Sequence, residues 1–421
     1  MITNNNKSLH TEDKTIIIFT EMFPYGIHSE QAFLQHEVKY LQNLFSSVLL
    51  VPSSIIGEQK NFGNFDSDIS YAKLYNKKKN LSIIKNSIFN IFFYTELFSR
   101  GISFWNIKRI KKLAVFLHRS RVTLTWLKRK KFDKGSIIIY TFWLNDRTFA
   151  SNIYAKGKSN VKVISRAHGH DIYENNPYFF GYLPFQKTMI ANLNKLYLVS
   201  QPAVDYLENK YPEYKSKFTK KYLGVKHADY LSKKSSDGTL RIVSCSFMLD
   251  RKRIDLTLNG ILAFINKYNR KVKWTHIGSG PLYDEINNCA RQYVSEYFQY
   301  NLTGIMENRD IFKYYSDNPV DVIISTTAVE GGVPLVIQEA QAFGIPVIAT
   351  NVGGIPEIIN SNVGILLQEN PDEKEISEAI YKVCFNEKHF LRLRNNSVEN
   401  WRKNFNESVN CKNFSEELFQ I

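Results

Sequence analysis

Residues 325–359, STTAVEGGVPLVIQEAQAFGIPVIATNVGGIPEII, decide the fold. They follow an apolar run, 320–324 (VDVII), whose hydrophobicity suits a strand buried on both faces of a parallel sheet. Gly331 and Gly332 open a loop, Pro334 takes the place of a first helical residue, and 335–343 carries helical spacing. Gly344 stops that helix, 345–349 (IPVIA) is a second apolar strand, and Gly353-Gly354 turns the chain again. Strand, glycine loop, helix and strand make a βαβ unit, right-handed by the sterics of twisted strands. Ligands of such a sheet lie beyond the carboxyl ends of its strands, which puts Glu330 and Glu339 on that lip. The N–H groups at the start of the helix favour an anion beside them.

The chain of 421 residues has room for two or three domains, and its 43% hydrophobic and 14% aromatic content excludes disorder. No apolar run is long enough to span a bilayer, and the polar stretch 1–14 lacks the core of a signal peptide. Cys245, Cys289, Cys384 and Cys411 are scattered with no CxxC pair, which predicts free thiols in a reducing compartment, the cytoplasm. A net charge of +15 calls for anionic partners. The basic residues crowd 77–131, where Glu96 is the one acid.

Taken in order, 15–20 (TIIIFT) is a first buried strand that leaves through a Pro/Gly turn ending at Gly26. Ser29 is a candidate cap for a helix carrying Phe33, Glu37, Tyr40, Leu41 and Leu44, and 48–51 is the next strand. Asp66-Ser67-Asp68 has the Asp-x-Asp form that some enzymes use to hold a metal–nucleotide. Its Asn/Gly-rich surroundings predict a solvated turn instead. Residues 81–131 mix Phe89, Phe92, Phe93, Phe98, Phe104, Trp105, Phe116 and Trp126 with the basic side chains. Two readings fit: helices lying on an anionic membrane surface, or core helices with a charged outer face. No helix-turn-helix, RRM or zinc pattern accompanies the charge, so nucleic acid is not the expected partner.

Strands 137–141 and 161–165 run into Phe142-Trp143-Leu144-Asn145 and Arg166-Ala167-His168-Gly169-His170-Asp171. His168, at a strand exit, is suited to exchange a proton or hydrogen bond with a hydroxyl near neutral pH. His168, His170 and Asp171 alone do not complete a metal site. After strand 196–200, helix 203–211 and a strand end at 223–225, the polar stretch 226–238 reads as a linker. Strands 240–244 and 272–277 follow, the second leading into the glycine turn Gly278-Ser279-Gly280-Pro281. With helix 254–268, a strand within 294–302 and the quoted stretch, they build a second doubly wound domain, and 373–385 and 390–418 read as closing helices.

At this point the chain resembles a family, the retaining GT-B glycosyltransferases of family 4. The pieces TEMFPYG, KVISRAHGHD, IVSCSFMLDRKRIDL, HIGSGPL and VEGGVPLVIQEAQAFGIPVIATNVGGIPE stand in that family's order and spacing. The resemblance implies an α/β fold of two Rossmann-like doubly wound domains facing a cleft. It gives an acceptor-side domain 1–225 with the basic aromatic segment 81–131, a linker 226–238, a donor domain 239–400, and a C-terminal helix 401–421 crossing back. It further implies that Glu339 binds the ribose of a nucleotide and that Lys252 neutralises the donor diphosphate. His168 becomes the active-site histidine, and Gly26, Gly278, Gly280, Pro334 and Leu335 line the phosphate and nucleotide sites. Two departures stand out. One extra residue separates Glu330 from Glu339, so either Glu330 reaches the donor sugar through a bulged loop or Gly331 and Gly332 offer backbone N–H groups instead. Phe247 replaces the family's arginine, leaving Arg251 or Arg253 to substitute.

The implied function is transfer of a sugar from a UDP- or GDP-sugar to a saccharide acceptor, lipid-linked or surface polysaccharide, with retention of configuration. The implied enzyme has no metal or other cofactor and sits in the cytoplasm, peripheral to the inner face of the membrane. Two rivals remain. A GT-B sugar-nucleotide epimerase would turn over donor alone, and a non-enzymatic membrane- or nucleic-acid-binding protein would bind through 81–131 without Glu339.

Overall fold

The apolar runs become strands because each is covered on both faces. β1 (Lys14–Thr20) places Ile16, Ile17, Ile18 and Phe19 all at 0% exposure. Side chains alternate across a strand. Thus Ile17 and Phe19 join one core cluster with Ile137, Ile139 and Val163, while Ile16 and Ile18 join another with Ile138, Tyr140 and Ile164. The structure is a computed structural model, and it describes residues 13–26, 30–60, 62–76, 83, 87, 90–101, 106–132, 134–174, 181–226 and 230–421. Ser29, Phe89, Phe104 and Trp105 of the sequence reading lie outside them.

Two units emerge. The first comprises Met1–Val199, Ala203–Lys221 and Cys411–Ile421, the second Ser200–Pro202 and Tyr222–Asn410. In the first, β1 is joined by β2 (Ser47–Pro52), β3 (Asp66–Ser67), β4 (Ser136–Thr141), β5 (Val161–Ala167), β6 (Lys195–Leu198) and β7 (Phe218–Lys220). They form one parallel sheet in the order β3-β2-β1-β4-β5-β6-β7, with Ile17 opposite Leu49 on one side and Ile139 on the other. Its helices are α1 (Gln31–Gln42), α2 (Ile69–Tyr75), α3 (Ile91–Ser99), α4 (Ile107–Lys130), α5 (Asp146–Ala155), α6 (Gly169–Ile172), α7 (Gln186–Asn192) and α8 (Gln201–Lys210), the last beginning in the second unit.

The second unit repeats the pattern with β8 (Leu240–Cys245), β9 (Val272–Ile277), β10 (Phe298–Leu302), β11 (Val322–Ser325), β12 (Val347–Thr350) and β13 (Gly364–Leu367). The order is β10-β9-β8-β11-β12-β13, again all parallel. Its helices are α9 (Ile254–Tyr268), α10 (Tyr283–Arg291), α11 (Asn308–Asp317), α12 (Leu335–Ala342), α13 (Ile355–Ile358), α14 (Glu373–Cys384) and α15 (Glu387–Asn400). A π-helical turn, Trp401–Phe405, precedes the final helix, α16 (Glu407–Phe419). In both sheets the strand order reverses beside the first strand, between β1 and β4 and between β8 and β11. That is the doubly wound arrangement expected of two Rossmann-like domains, and it marks where a crevice opens in each.

The unit boundaries differ from 225/226 and 400/401. Val225 exchanges backbone bonds with Phe405 and Glu407 and accepts from Trp401 Nε1, so it belongs to the second unit. Ser232 N donates to Phe343 O, and Ser235 donates twice to Asp321, so the expected linker is held along its described part. Trp401 and Phe405 are core residues of the second unit, and within 401–421 only Cys411–Ile421 belongs to the first. Partners far away in sequence decide both boundaries.

The segment 81–131 divides between its two readings. α4 buries Leu113, Phe116, Leu117, Thr123, Trp126 and Leu127, and Trp126 packs edge-on to Phe19 and Tyr71. That is a core helix with a charged outer face. α3 is different: Ile91 and Phe98 are 70% and 65% exposed, as is Ile107 at 64%. Asp66–Ser67 is the edge strand, while Asp68 caps α2 through Ser70 N, accepts from Trp126 Nε1 and pairs with Lys130. No described helix is long and apolar enough to cross a membrane.

One ion pair is sealed inside the first unit. Arg166 on β5 meets Glu37 on α1 at 2.8 Å, with side-chain exposures of 2% and 3%, and its guanidinium lies 4.3 Å from the Phe414 ring. Removing one partner strands a buried charge. Glu37→Leu should therefore cost about 3–5 kcal/mol, and Arg166→Met in the same chain should return much of it. Urea melts of the two variants check this, and equal losses in the single and double variants would contradict it.

Candidate functional site

In the second unit the crevice lies where the loops after β8 and β11 meet. The β8 loop ends in a 3₁₀ turn, Asp250–Lys252, and Arg253 takes a left-handed conformation (φ 49°) before α9. The β11 loop is stitched to that turn. Ala328 N donates to Arg251 O (2.7 Å), Thr326 Oγ1 to Arg253 O (2.7 Å) and Thr327 Oγ1 to Arg251 O (3.3 Å). Arg253 returns the bonds, Nε to Thr326 O (2.6 Å) and one terminal nitrogen to Thr327 O and Glu369 O; the other reaches Asn370 Oδ1. Its guanidinium is thus committed to the loop backbone. Arg253, expected as a phosphate ligand, here fixes the turn that carries Lys252. Lys252 Nζ sits 2.9 Å from Glu330 Oε2, both side chains partly exposed.

Glycines set how closely the loops approach. Gly353 (φ 55°) lies against the Glu330 carbonyl, where a Cβ would fall 1.9 Å from the oxygen, and a Cβ on Gly354 would fall 2.6 Å from Gly332 O. The carbonyls of Glu330 and Gly332 are therefore packed on the β12 loop, and the Glu330 side chain points to Lys252. Gly278 and Gly280 are explained by the chain itself: a Cβ would meet Ser246 O at 1.9 Å and Met248 O at 2.5 Å. They let the β9 loop lie on the β8 loop.

Pro334, expected as the first helical residue, is the N-cap of α12 (ψ 135°), and Leu335 starts the helix. No side chain caps this terminus, so its dipole favours an anion alongside. Glu339, one turn in, is 4% exposed, and Asn308 Nδ2 at the start of α11 donates to its Oε1 at 2.6 Å. Burial pushes the carboxyl up to about 7 against the opposing pull of Asn308. Oε2 has no protein partner among the described residues.

The first unit has its own lip at β1 and β4. The fully buried Glu30 accepts from the backbone N–H of Glu21, Met22 and Phe23 and from Trp143 Nε1. This carboxylate, which the sequence did not single out, shapes the loop leading to Gly26. Gly26 (φ 66°) lies 2.7 Å, measured from a built Cβ, from Ile56 O, so the loop's own packing already requires a glycine there. Arg147 donates to Thr20 O and Ser53 Oγ and pairs with Glu21 at 2.8 Å. His168 packs on Trp143 (4.2 Å between centroids) and Phe142 (5.0 Å). Its ring nitrogens are buried without a hydrogen-bond partner among the described residues, and burial holds its pKa well below 6.5. It is a neutral imidazole. Asp171 accepts from Leu144 N and His168 N, and is buried.

Lys252 thus stands on the loop after β8, Glu330, Gly331, Gly332, Pro334, Leu335 and Glu339 on the loop and helix after β11, and Gly278 and Gly280 on the loop after β9, all in the second unit. His168 and Gly26 belong to the first unit. Asn308 was missed, since nothing in Glu307-Asn308-Arg309 sets it apart from a solvated helix start.

Residues 239–386 match the family model described as glycosyl transferases group 1. The amylovoran biosynthesis glycosyltransferase AmsK of Erwinia amylovora is 24% identical over 147 residues, 34% of this chain and 36% of AmsK. The match thus spans about a third of that relative. Among solved structures, the lipopolysaccharide outer core galactosyltransferase WaaB in its apo form superposes with a TM-score of 0.66 at 14% identity, covering 97% of this chain and 99% of WaaB. TarM of S. aureus, in complex with fondaparinux, alpha-GlcNAc-glycerol and UDP, gives a TM-score of 0.66 at 14% identity, over 97% and 100%. The fold is that of the GT-B glycosyltransferases.

Glu339 yields a test of site against stability. Its folded pKa, near 7, exceeds its ordinary 4.5, so the folded chain holds a proton that the unfolded chain has released. Its stabilising contribution is complete below 4.5 and is lost as pH rises to about 7. Glu339→Gln should leave the melting temperature unchanged at pH 4.5 and raise that of the second unit by on the order of 5 °C at pH 8. A variant no more stable than wild type at pH 8 would place the carboxylate in water.

Proposed function

We propose that the protein is a retaining glycosyltransferase, using a UDP- or GDP-sugar as donor and a saccharide as acceptor. The observation that carries this reading is the grouping of Lys252, the uncapped α12 terminus and the buried Glu339 at the crevice of a glycosyl transferases group 1 domain. Lys252 exchanges Glu330 for the donor diphosphate, and the α12 dipole adds to its charge. Glu339 Oε2 accepts from a ribose hydroxyl. The bond between the anomeric carbon and the diphosphate oxygen breaks, the oxygen taking the electron pair. The acceptor oxygen bonds to the same carbon on the same face, and its proton passes to the departing phosphate. Positive charge held where negative charge develops is the main catalytic contribution, and it needs no bound metal. Glu330, released from Lys252, turns to the donor sugar.

A panel of UDP- and GDP-sugars, read by thermal shift and donor hydrolysis, tests the reading. One family of donors should stabilise the chain. Lys252→Ala should lower kcat/KM about 10²- to 10³-fold, and Glu339→Ala should abolish donor binding with the fold intact. Stabilisation by no nucleotide defeats the reading, and conversion of donor into its epimer without acceptor replaces it with an epimerase.

The acceptor is lipid-linked or part of a surface polysaccharide, and the enzyme works in the cytoplasm at the inner face of the membrane. Support comes from exposed Ile91, Phe98 and Ile107 beside exposed Lys108, Arg109 and Lys111, an apolar patch with a basic rim suited to anionic lipid. The chain should sediment with phosphatidylglycerol vesicles and far less with phosphatidylcholine. Phe98→Asp with Ile91→Asp should cut that binding about tenfold, and unchanged sedimentation would remove the membrane from the proposal.

A further inference from the structure

We propose that Asn308 is a positioning residue for donor binding, holding Glu339 Oε1 so that Oε2 faces the donor's hydroxyls. The inference rests on the transferase reading and adds a residue to it. Three observations support it. The carboxylate is buried on α12, one of its oxygens is fixed at 2.6 Å by an amide from another helix, and the second has no protein partner among the described residues. A carboxylate that has lost its water needs one such donor to keep a single orientation, and a charged acceptor makes that bond stronger than a neutral one.

The surroundings leave the task to Asn308. The ionisable groups packed around the carboxylate are the Cys245 thiol at the end of β8 and the Tyr315 hydroxyl on α11. Burial pushes both upward, so both are neutral near pH 7. The Tyr315 hydroxyl is buried without a hydrogen-bond partner, and so does not bond to Glu339. Lys252, which acts on Cys245, is engaged with Glu330. Asn308 is therefore the group that favours the charged form, against burial, which disfavours it.

The test is calorimetric titration of UDP and of GDP into the full chain between pH 5.5 and 9. Wild type should bind one of them more tightly as pH rises, levelling above about 7 as Glu339 ionises. In Asn308→Ala nothing holds Oε1, so binding should be about tenfold weaker even at pH 9, where Glu339 is ionised, and the rise with pH should also move to higher pH. Asn308→Asp sets a second carboxylate against the first and should stay weak throughout. Glu339→Gln should show no such rise. If Asn308→Ala binds as tightly as wild type at pH 9, Asn308 does not position Glu339. A wild-type chain that binds neither nucleotide defeats the transferase reading itself.

Discussion

The crevice of the second unit depends on a backbone exchange between two loops that are far apart in sequence and adjacent in the sheet. Because β8 and β11 lie side by side at the strand-order reversal, their loops leave together and can share hydrogen bonds. The exchange fixes the left-handed turn at Arg253, and the turn fixes Lys252 opposite Glu330. A non-glycine residue in that conformation costs on the order of 1 kcal/mol or more, which the five bonds around Arg253 and Thr326 outweigh. Without them the lysine would be a flexible surface cation.

The sequence was informative where burial imposes a pattern. Strands such as 137–141 and 320–324 are legible because a parallel strand covered on both faces has to be apolar throughout. The glycine pairs were legible as close approaches, though not what they approach. At Gly278 and Gly280 an added side chain would meet Ser246 and Met248, partners the sequence did not name. Roles set by tertiary partners stayed hidden. The carbonyls that the Arg253 guanidinium finds were not legible, because a sequence does not reveal which backbone groups come within its reach. Val225 looked like the end of a domain because its partners lie about 180 residues further on. Asn308 had no periodicity, motif or unusual neighbour to mark it, and only the folded chain brings it to Glu339.

The two lips differ in how they handle charge. At the first unit's lip the buried charges are matched within the protein, Glu30 by backbone N–H groups and Arg147 by Glu21, the Thr20 carbonyl and the Ser53 hydroxyl, so they shape loops. In the second unit the matching is partial. Lys252 has one carboxylate that is itself partly exposed, Glu339 has one amide, and α12 has no cap. Incomplete matching inside a shaped crevice is what a polar, anionic ligand can use, and it separates a binding site from a structural network.

Gly353 fits so closely against the Glu330 carbonyl that the β11 and β12 loops form one mechanical part. Neither can be lengthened, exchanged or given a side chain at the contact without shifting the other. In a chimera built from two related chains, the 326–334 and 351–354 segments have to be transplanted together. A natural lineage is held to the same rule: the extra residue before Pro334 can persist only in company with a β12 loop that keeps its glycines.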